Sequence, residues 1–296
     1  MRFDPNVCVV CDNRHVVADK EAGQYLSLPQ SIHVLKCNDC GLRWLSPMKT
    51  PEEYDQMYKT AYFEELPEDY EALAAQRMKH FQKRLKTIAE RMKRTRFSLL
   101  DVGAATGELV NEAGRMGIEA LGIEPSQSAY IGASSKYKIN LIQGDFLDFD
   151  FGSRRFDVVH LNHVFEHFPD PIACIRKVSD ILTDEGLLVV EVPNQFDNIH
   201  FLTLQATRRL KPQKFTVYSI HHPFFYTPKS IRILFEKHNF EIEKVSTWKS
   251  YLITKSGSFY PGATIIEHFA LMLGDLIFKG GLFIEIYARK RMDITA

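Results

Sequence analysis

Four cysteines fall into two pairs, Cys8 with Cys11 and Cys37 with Cys40. Each pair is spaced Cys-x2-Cys, a knuckle that turns two thiolates to one side. Two knuckles complete a tetrahedral sulfur shell, the geometry zinc prefers. All four positions are sulfur, so the spacing predicts a closed, structural Zn2+ site without an open position for a catalytic water. A thioredoxin-type redox pair needs a strand–helix context, which is absent here, and does not come twice. Gly41 follows the second knuckle, where a positive φ is cheap for glycine. The stretch between the pairs, "HVVADKEAGQYLSLPQSIHVLK", reads as one or two short strands. A ribbon this small depends on its metal, which supplies about 10–16 kcal/mol in small zinc peptides. The fifth cysteine, Cys174, sits in the amphipathic run "DPIACIRKVSDIL" and is read as a core residue.

The second group of residues with chemistry surrounds "LLDVGAATGELV" at 99–110. An apolar strand runs into a turn of small residues and then a helix. Ligands of open parallel sheets sit at such turns, outside the carboxyl ends of the strands, and the helix N-terminus offers free N–H groups to an anion. A dinucleotide fingerprint would need glycines at 103, 105 and 108, but the sequence has Gly103, Ala105 and Glu108. Glu124 closes the next strand in "LGIEPS", and Asp145 closes the third in "IQGDFLD". After the fourth strand, "FDVVHLNHVFEHFPDP" supplies Asn162, His163, Glu166 and His167. His163 and His167 share a face if this segment is helical. His167 is the first choice for a general base, followed by His163. His222, beside His221 in "YSIHHPFFYTPKSI", is the third, since imidazole exchanges protons near neutrality. Spacing places no third ligand beside any of these histidine pairs, so no catalytic metal is expected.

The elements that must hold these groups follow from the hydrophobic pattern. From residue 97 apolar strands alternate with amphipathic helices, the pattern of a parallel sheet covered by helices on both faces. Seven strands are expected, the last being "LFIEIYARK". A helix is predicted over about 68–95, because Tyr70, Ala74, Met78, Phe81, Leu85, Ile88 and Met92 recur at helical spacing. Its other face reads as basic and outward. The connection near 194–226 is longer than usual and reads as a lid over an acceptor site. An apolar helix at 262–278 reads first as core packing, with a pocket wall or contact to a lipid-linked acceptor as the alternatives. The expected organisation is a zinc ribbon at 1–48, a helical linker at 49–96 packed on the next domain, and the α/β domain at 97–296.

Composition narrows the function classes. Lys plus Arg and Asp plus Glu balance at 37 each, which argues against a dedicated nucleic-acid binder. The first thirty residues carry no apolar block of the signal-peptide type, and no run of about 20 apolar residues offers a membrane span. The expectation is a cytoplasmic protein.

The pattern Asp101-x-Gly103-x-Ala105-x-Gly107 resembles motif I of the class I S-adenosylmethionine-dependent methyltransferases, with alanine replacing the middle glycine. The resemblance extends over about 97–195, where the "hvLEHxxDP" segment of the family is similar to 156–171. It implies a Rossmann-like seven-stranded sheet whose antiparallel last strand enters between the fifth and sixth. It also implies S-adenosyl-L-methionine bound by Asp101, Gly103, Ala104, Ala105 and Gly107. Glu124 beside Pro125 would take the ribose hydroxyls, and Asp145 the adenine amino group, with Phe146 packing on the ring. Asn162 and Tyr62 would border the methionine end. The stretch "CNDCGLRWLSPMKTPEEYDQMYKTAYFEE" resembles the zinc-ribbon leader of methyltransferases that tailor sugars, polysaccharides and natural products. That implies a small acceptor, a sugar, a nucleotide-linked sugar or a related hydroxylated metabolite. Two alternatives stand beside it. One is an RNA methyltransferase gripping RNA with its ribbon, against which the zero net charge counts. The other is a non-catalytic cofactor-binding scaffold, against which the intact Asp101, Gly103, Gly107, Glu124 and Asp145 count.

Overall fold

The structure is a computed structural model and describes residues 4–50, 52–54, 56, 74–206, 221–248 and 281–291. Tyr62, the 262–278 segment and the middle of the 194–226 connection lie outside the described residues. The N-terminal part contains strand β1 (Val16–Ala18), helix α1 (Lys20–Tyr25), β2 (His33–Cys37) and β3 (Arg43–Ser46). Asp19 caps α1 by accepting from the Ala22 N–H at 3.0 Å, and its other oxygen accepts from Arg43 Nε at 2.8 Å. Helix α2 (Ala74–Met92) then leads into the alternating region.

That region runs β4 (Ser98–Val102), α3 (Glu108–Arg115), β5 (Glu119–Glu124), α4 (Gln127–Lys136), β6 (Leu141–Gln143) and β7 (Phe156–Asn162). A single 3-10 turn (Phe165–His167) precedes α5 (Pro171–Ile181) and β8 (Leu182–Pro193). Next come α6 (Ile199–Ala206), β9 (Phe224–Phe225), α7 (Pro228–Lys237), β10 (Phe240–Trp248) and β11 (Phe283–Lys290). The helix starts are written locally. Asp170 accepts from the Ile172 and Ala173 N–H groups, with Pro171 as the first helical residue of α5. Thr227 and Ser230 form a reciprocal capping box on α7.

Seven strands form one sheet in the order β10-β11-β8-β7-β4-β5-β6. Strands β4 to β8 are mutually parallel, and β11 lies antiparallel between β8 and β10. This is the topology expected from the sequence. Leu99, Leu100, Val158, Val159, Val189 and Val190 are fully buried, as a sheet covered on both faces requires. A second sheet, β1-β2-β3-β9, joins the N-terminal part to a strand from far along the chain. Arg43 pairs with Phe225 and Trp44 with Phe224. One core runs through both parts, with Cys8, Val10 and Trp44 packed in the same cluster as Phe165, Tyr226 and Phe235. Among the described residues, no helix is long and apolar enough to cross a membrane.

Helix α2 corrects one expectation. Lys79, Lys83 and Lys86 face solvent as the basic outer face predicts, but Arg84 is buried on the inner face beside Leu85 and Ile88. Its guanidinium donates from Nε to Glu285 at 3.1 Å, from Nη1 to Asn162 Oδ1 at 2.5 Å, and from Nη2 to Glu191. The strands set these partners in one row, since Asn162 is in register with Glu191 and Glu191 with Glu285. Nη1 also lies 3.3 Å from His160 Nε2. Arginine only donates, so Nε2 accepts and Nδ1 carries the ring proton, which goes to Asp101 Oδ1 at 2.7 Å. Burial raises the cost of the Glu191 charge, but Arg84 and His163 outweigh it and hold the carboxyl well below its ordinary range.

Removing Arg84 leaves two buried or half-buried carboxylates facing each other without their cation. Arg84→Ala is expected to lower stability by about 3–5 kcal/mol, measured by urea unfolding. A loss below about 1 kcal/mol, the range of a surface pair, would show that the guanidinium does not pin α2 to the sheet.

Candidate functional site

The turn between β4 and α3 gathers three positive-φ residues, Gly103 at 69°, Ala105 at 47° and Gly107 at 77°. The Gly103 and Ala104 N–H groups donate to the Ile123 carbonyl at 2.8 and 3.1 Å, which locks the turn to the end of β5. A Cβ at Gly103 would approach Val164 to 2.4 Å, and one at Gly107 would approach Ile139 to 2.5 Å. Ala105 is held in the left-handed region at a cost of about 1–2 kcal/mol. What it gains is direction, since its N–H points to Glu124 Oε2 at 2.8 Å. Gly107 caps α3 without a side chain, so the first N–H groups of that helix receive no side-chain cap.

Glu124 ends β5 and is 5% exposed. Its Oε1 accepts from the Ser126 N–H at 2.9 Å. Burial lifts its pKa to about 7, against the lowering effect of those two N–H groups, and the Asp101 charge adds to the rise. A carboxylate so desolvated gains strongly from further hydroxyl donors. Pro125, half-buried, leads from Glu124 into the Ser126 cap of α4. Asp101 itself is 5% exposed and turned to His160 within the sheet. Asp145 is exposed beyond β6, and its Oδ1 accepts from the Leu147 and Asp148 N–H groups at 2.7 and 3.3 Å. Phe146, expected beside an adenine ring, follows Asp145 with its side chain turned inward. It is 3% exposed and packs in the core on Phe151 and Phe168, both at 6.1 Å between centroids.

The far side of the turn is lined from the end of β7. Asn162 gives its side-chain oxygen to Arg84 rather than to the cleft. His163 sits at φ 54°, and its ring reaches Glu191 Oε1 from Nε2 at 3.0 Å and Glu166 Oε1 from Nδ1 at 3.6 Å. Burial disfavours its charge, but these two carboxylates prevail and raise its pKa to about 9. His163 is therefore a cation near neutrality and is removed from the base candidates. The segment that follows is one 3-10 turn, so the shared helical face of His163 and His167 does not form.

His167 meets a different partner. Its Nδ1 lies 3.1 Å from the His221 carbonyl oxygen, and its ring stands 4.6 Å from that of His222. A carbonyl only accepts, so Nδ1 holds the proton and Nε2 is the lone-pair nitrogen of the neutral tautomer. Burial lowers the pKa of His167, and burial with the His167 charge brings His222 down to about 3. Both rings are proton acceptors at neutral pH. Glu166, 1% exposed, lies against the same pair.

The four cysteine sulfurs converge. Cys8 lies 3.4 Å from Cys40 and Cys11 lies 3.5 Å from Cys37, Sγ to Sγ, and all four are free thiols within 4.8 Å of one another. Sulfurs about 2.3 Å from a zinc ion stand about 3.7 Å apart, so this donor set fits the ion with little movement. Cys174 is fully buried in the core, as expected.

Reading by motif missed Arg84, His160 and Glu191. Each had a signal, namely a charged or titratable residue on an otherwise apolar face. Arg84 stands between Phe81 and Ile88 at helical spacing, while His160 and Glu191 interrupt the strands "FDVVHLN" and "LLVVEVP".

The methyltransferase-domain family model matches residues 68–245. An uncharacterized methyltransferase of Oceanobacillus iheyensis is 25% identical over 177 residues, which are 57% of this chain and 80% of that protein. The ubiquinone biosynthesis O-methyltransferase of Azorhizobium caulinodans is 26% identical over 102 residues, 33% of this chain and 40% of that protein. Among solved structures, the plantazolicin methyltransferase in complex with SAH superposes with a TM-score of 0.53 at 17% identity, covering 80% of this chain and 94% of that one, a likeness of fold. With a family model spanning more than half of its length and an antiparallel seventh strand set between the fifth and sixth, this chain belongs to the class I S-adenosylmethionine-dependent methyltransferases and is an enzyme of that family.

Proposed function

We propose that the enzyme methylates a hydroxyl oxygen of a small molecule, a sugar, nucleotide-linked sugar or related metabolite, in the reducing cytoplasm. The observation that carries the site is Glu124, buried at the carboxyl end of β5 and aimed at the Gly103–Gly107 turn by the Ala105 and Ser126 N–H groups. In this reading Glu124 takes the two ribose hydroxyls, and Gly103, Ala104, Ala105 and Gly107 let the cofactor approach the backbone. Pro125 and the exposed Asp145 border the adenine. Asp101, with Asn162, holds the end of the sheet in shape. S-adenosylmethionine supplies an electrophilic methyl group, and the chain's task is to align an acceptor oxygen with it and to receive the displaced proton. His167, oriented by the His221 carbonyl, and His222 beside it face the acceptor. In this proposal, read from the sequence, the 194–226 connection would serve as their lid and Tyr62 would border the methionine end. The relative named for O-methyl transfer in ubiquinone biosynthesis supports an oxygen acceptor.

The same reading takes 1–48 as a zinc ribbon, 49–96 as a helical connection and 97–296 as the methyltransferase domain. The ribbon has a positioning role here. β3 pairs with β9, and β9 begins two residues after His222. Metal held by Cys8, Cys11, Cys37 and Cys40 thus steadies the strand that presents His222.

The Glu124 environment gives a pH dependence. Its pKa in the fold, about 7, exceeds the ordinary 4.5, so the folded protein holds this proton more tightly than the unfolded chain. Stability from this group is full below 4.5 and is lost as pH rises through 7. Hydroxyl donors reward the ionised form, so affinity for S-adenosylmethionine should strengthen as pH rises through 7. Glu124→Gln should flatten that profile in calorimetry, and Glu124→Ala should cost about 1–3 kcal/mol of binding. A profile unchanged in Glu124→Gln would place the ribose elsewhere. Replacing Cys11 and Cys40 together by serine should abolish zinc uptake and reduce turnover more than cofactor affinity. Full turnover without zinc would end the positioning role of the ribbon.

A further inference from the structure

The Glu166, His167 and His222 cluster admits a second role, which would replace the two rings' role as proton acceptors. A carboxylate oxygen of Glu166 and one ring nitrogen of each histidine lie within 4.8 Å of one another. The sequence hid this set, because Glu166 and His167 are adjacent and His222 is 55 positions further on. The fold joins them by pairing β9 with β3 beside the 3-10 turn.

Two observations point to an ion between them. First, Glu166 is 1% exposed, and neither of its oxygens has a hydrogen-bond partner among the described residues. Its nearest charge is the His163 ring, whose Nδ1 pairs with Oε1 at 3.6 Å, longer than a hydrogen bond, while its Nε2 serves Glu191 at 3.0 Å. Buried carboxylates ordinarily accept hydrogen bonds as well, so two unbonded oxygens beside one long ion pair leave room for a second cation. Second, the His221 carbonyl accepts from His167 Nδ1 at 3.1 Å. Histidines that bind metal use this arrangement, the outer nitrogen donating to a carbonyl so that the ring is fixed and Nε2 presents its lone pair.

We infer that Glu166, His167 and His222 bind a divalent first-row transition metal ion that holds the acceptor hydroxyl. Two imidazoles with one carboxylate suit Mn2+, Fe2+, Co2+ or Zn2+, whereas Mg2+ and Ca2+ prefer oxygen ligands throughout. Three protein ligands leave positions for substrate oxygens. The site borders the cofactor turn, since Val164, two residues before Glu166, lies against Gly103. The inference rests on the proposed function and refines how the acceptor proton is lost. A hydroxyl on the ion is acidified and gives its proton to solvent water. Its oxygen then forms the O–C bond to the methyl carbon while the C–S bond breaks, and that electron pair stays on sulfur. An acceptor with oxygens on adjacent carbons, as in a sugar diol, fills two positions at once.

The test uses the full chain purified with zinc on its cysteines, desalted into chelator-free buffer and titrated with Mn2+, with free aqueous Mn2+ read by electron paramagnetic resonance. Thiolate sites disfavour this ion, so the cysteines do not compete. Wild type should bind a single Mn2+ per chain. Glu166→Gln and His222→Asn, each checked for native circular dichroism, should weaken binding by roughly tenfold or more, since loss of an outer-shell partner alone costs that much. Absence of Mn2+ uptake by the wild type, or uptake unchanged in either folded variant, overturns the inference. Calorimetry with S-adenosylmethionine on the same samples separates the two readings. Cofactor binding without Mn2+ uptake defeats the metal site alone, whereas Mn2+ uptake without cofactor binding defeats the proposed function.

Discussion

The buried charge of Arg84 is the interaction on which the arrangement of the site depends. Its guanidinium fork meets Glu191, Glu285, Asn162 and His160, residues contributed by three strands of the sheet. A lysine could not replace it, because the fork reaches several acceptors at fixed angles and a point charge does not. The consequences run in two directions. Through His160 the network reaches Asp101 on the strand that leads into the cofactor turn. Through Glu191 it reaches His163 and sets that ring as a cation between two carboxylates. The helix before the α/β domain is thus part of the support of the site. A desolvated cation of this kind is not a cheap source of stability. What it supplies is a fixed geometry at the carboxyl ends of β4, β7 and β8.

The architecture was legible because its signals are local. Apolar strands alternating with amphipathic helices, a turn of small residues after β4, and proline after a capping aspartate at Asp170 each act over a few residues. Pairs of residues far apart in the chain were not legible. Arg84 and Glu191 are 107 positions apart, and nothing in either segment alone names the other. Phe146 shows a further limit. An aromatic beside a strand-end acid fits a stacking role or a core role equally well by type, and its packing on Phe151 and Phe168 could not be read from either segment alone. Periodicity also misled at 163–167, where four-residue spacing suggests one helical face. The chain instead bends at His163, whose positive φ precedes a 3-10 turn.

That bend separates two electrostatic roles among residues of one type. His163 faces carboxylates and is charged, with a pKa of about 9. His167 and His222 face each other and the His221 carbonyl, and burial keeps them neutral. The division is made by backbone direction, since four residues of regular helix would have placed His163 and His167 side by side. His222 comes from the other end of the domain, and its place is set by β9 pairing with β3. In the proposed reading, metal on the four cysteines would stabilise a sheet whose last strand follows His222, linking a structural metal mechanically to the methyl-transfer site.

The strain at Ala105 belongs to the same logic. Glycine would adopt its φ of 47° at lower cost, and the family pattern has glycine there. Alanine bears that strain here while its N–H donates to Glu124 Oε2 at 2.8 Å. Glu124 then sits with a raised pKa in a nearly dry position, accepting from two N–H donors among the described residues. A solvated carboxylate would exchange water for ribose hydroxyls with little net gain. A desolvated one lacks that water already, so each new donor counts nearly in full. In the proposed reading, the unfavourable burial of this single acid in the free enzyme is what favours a vicinal diol, and the turn that holds Ala105 keeps the carboxylate directed.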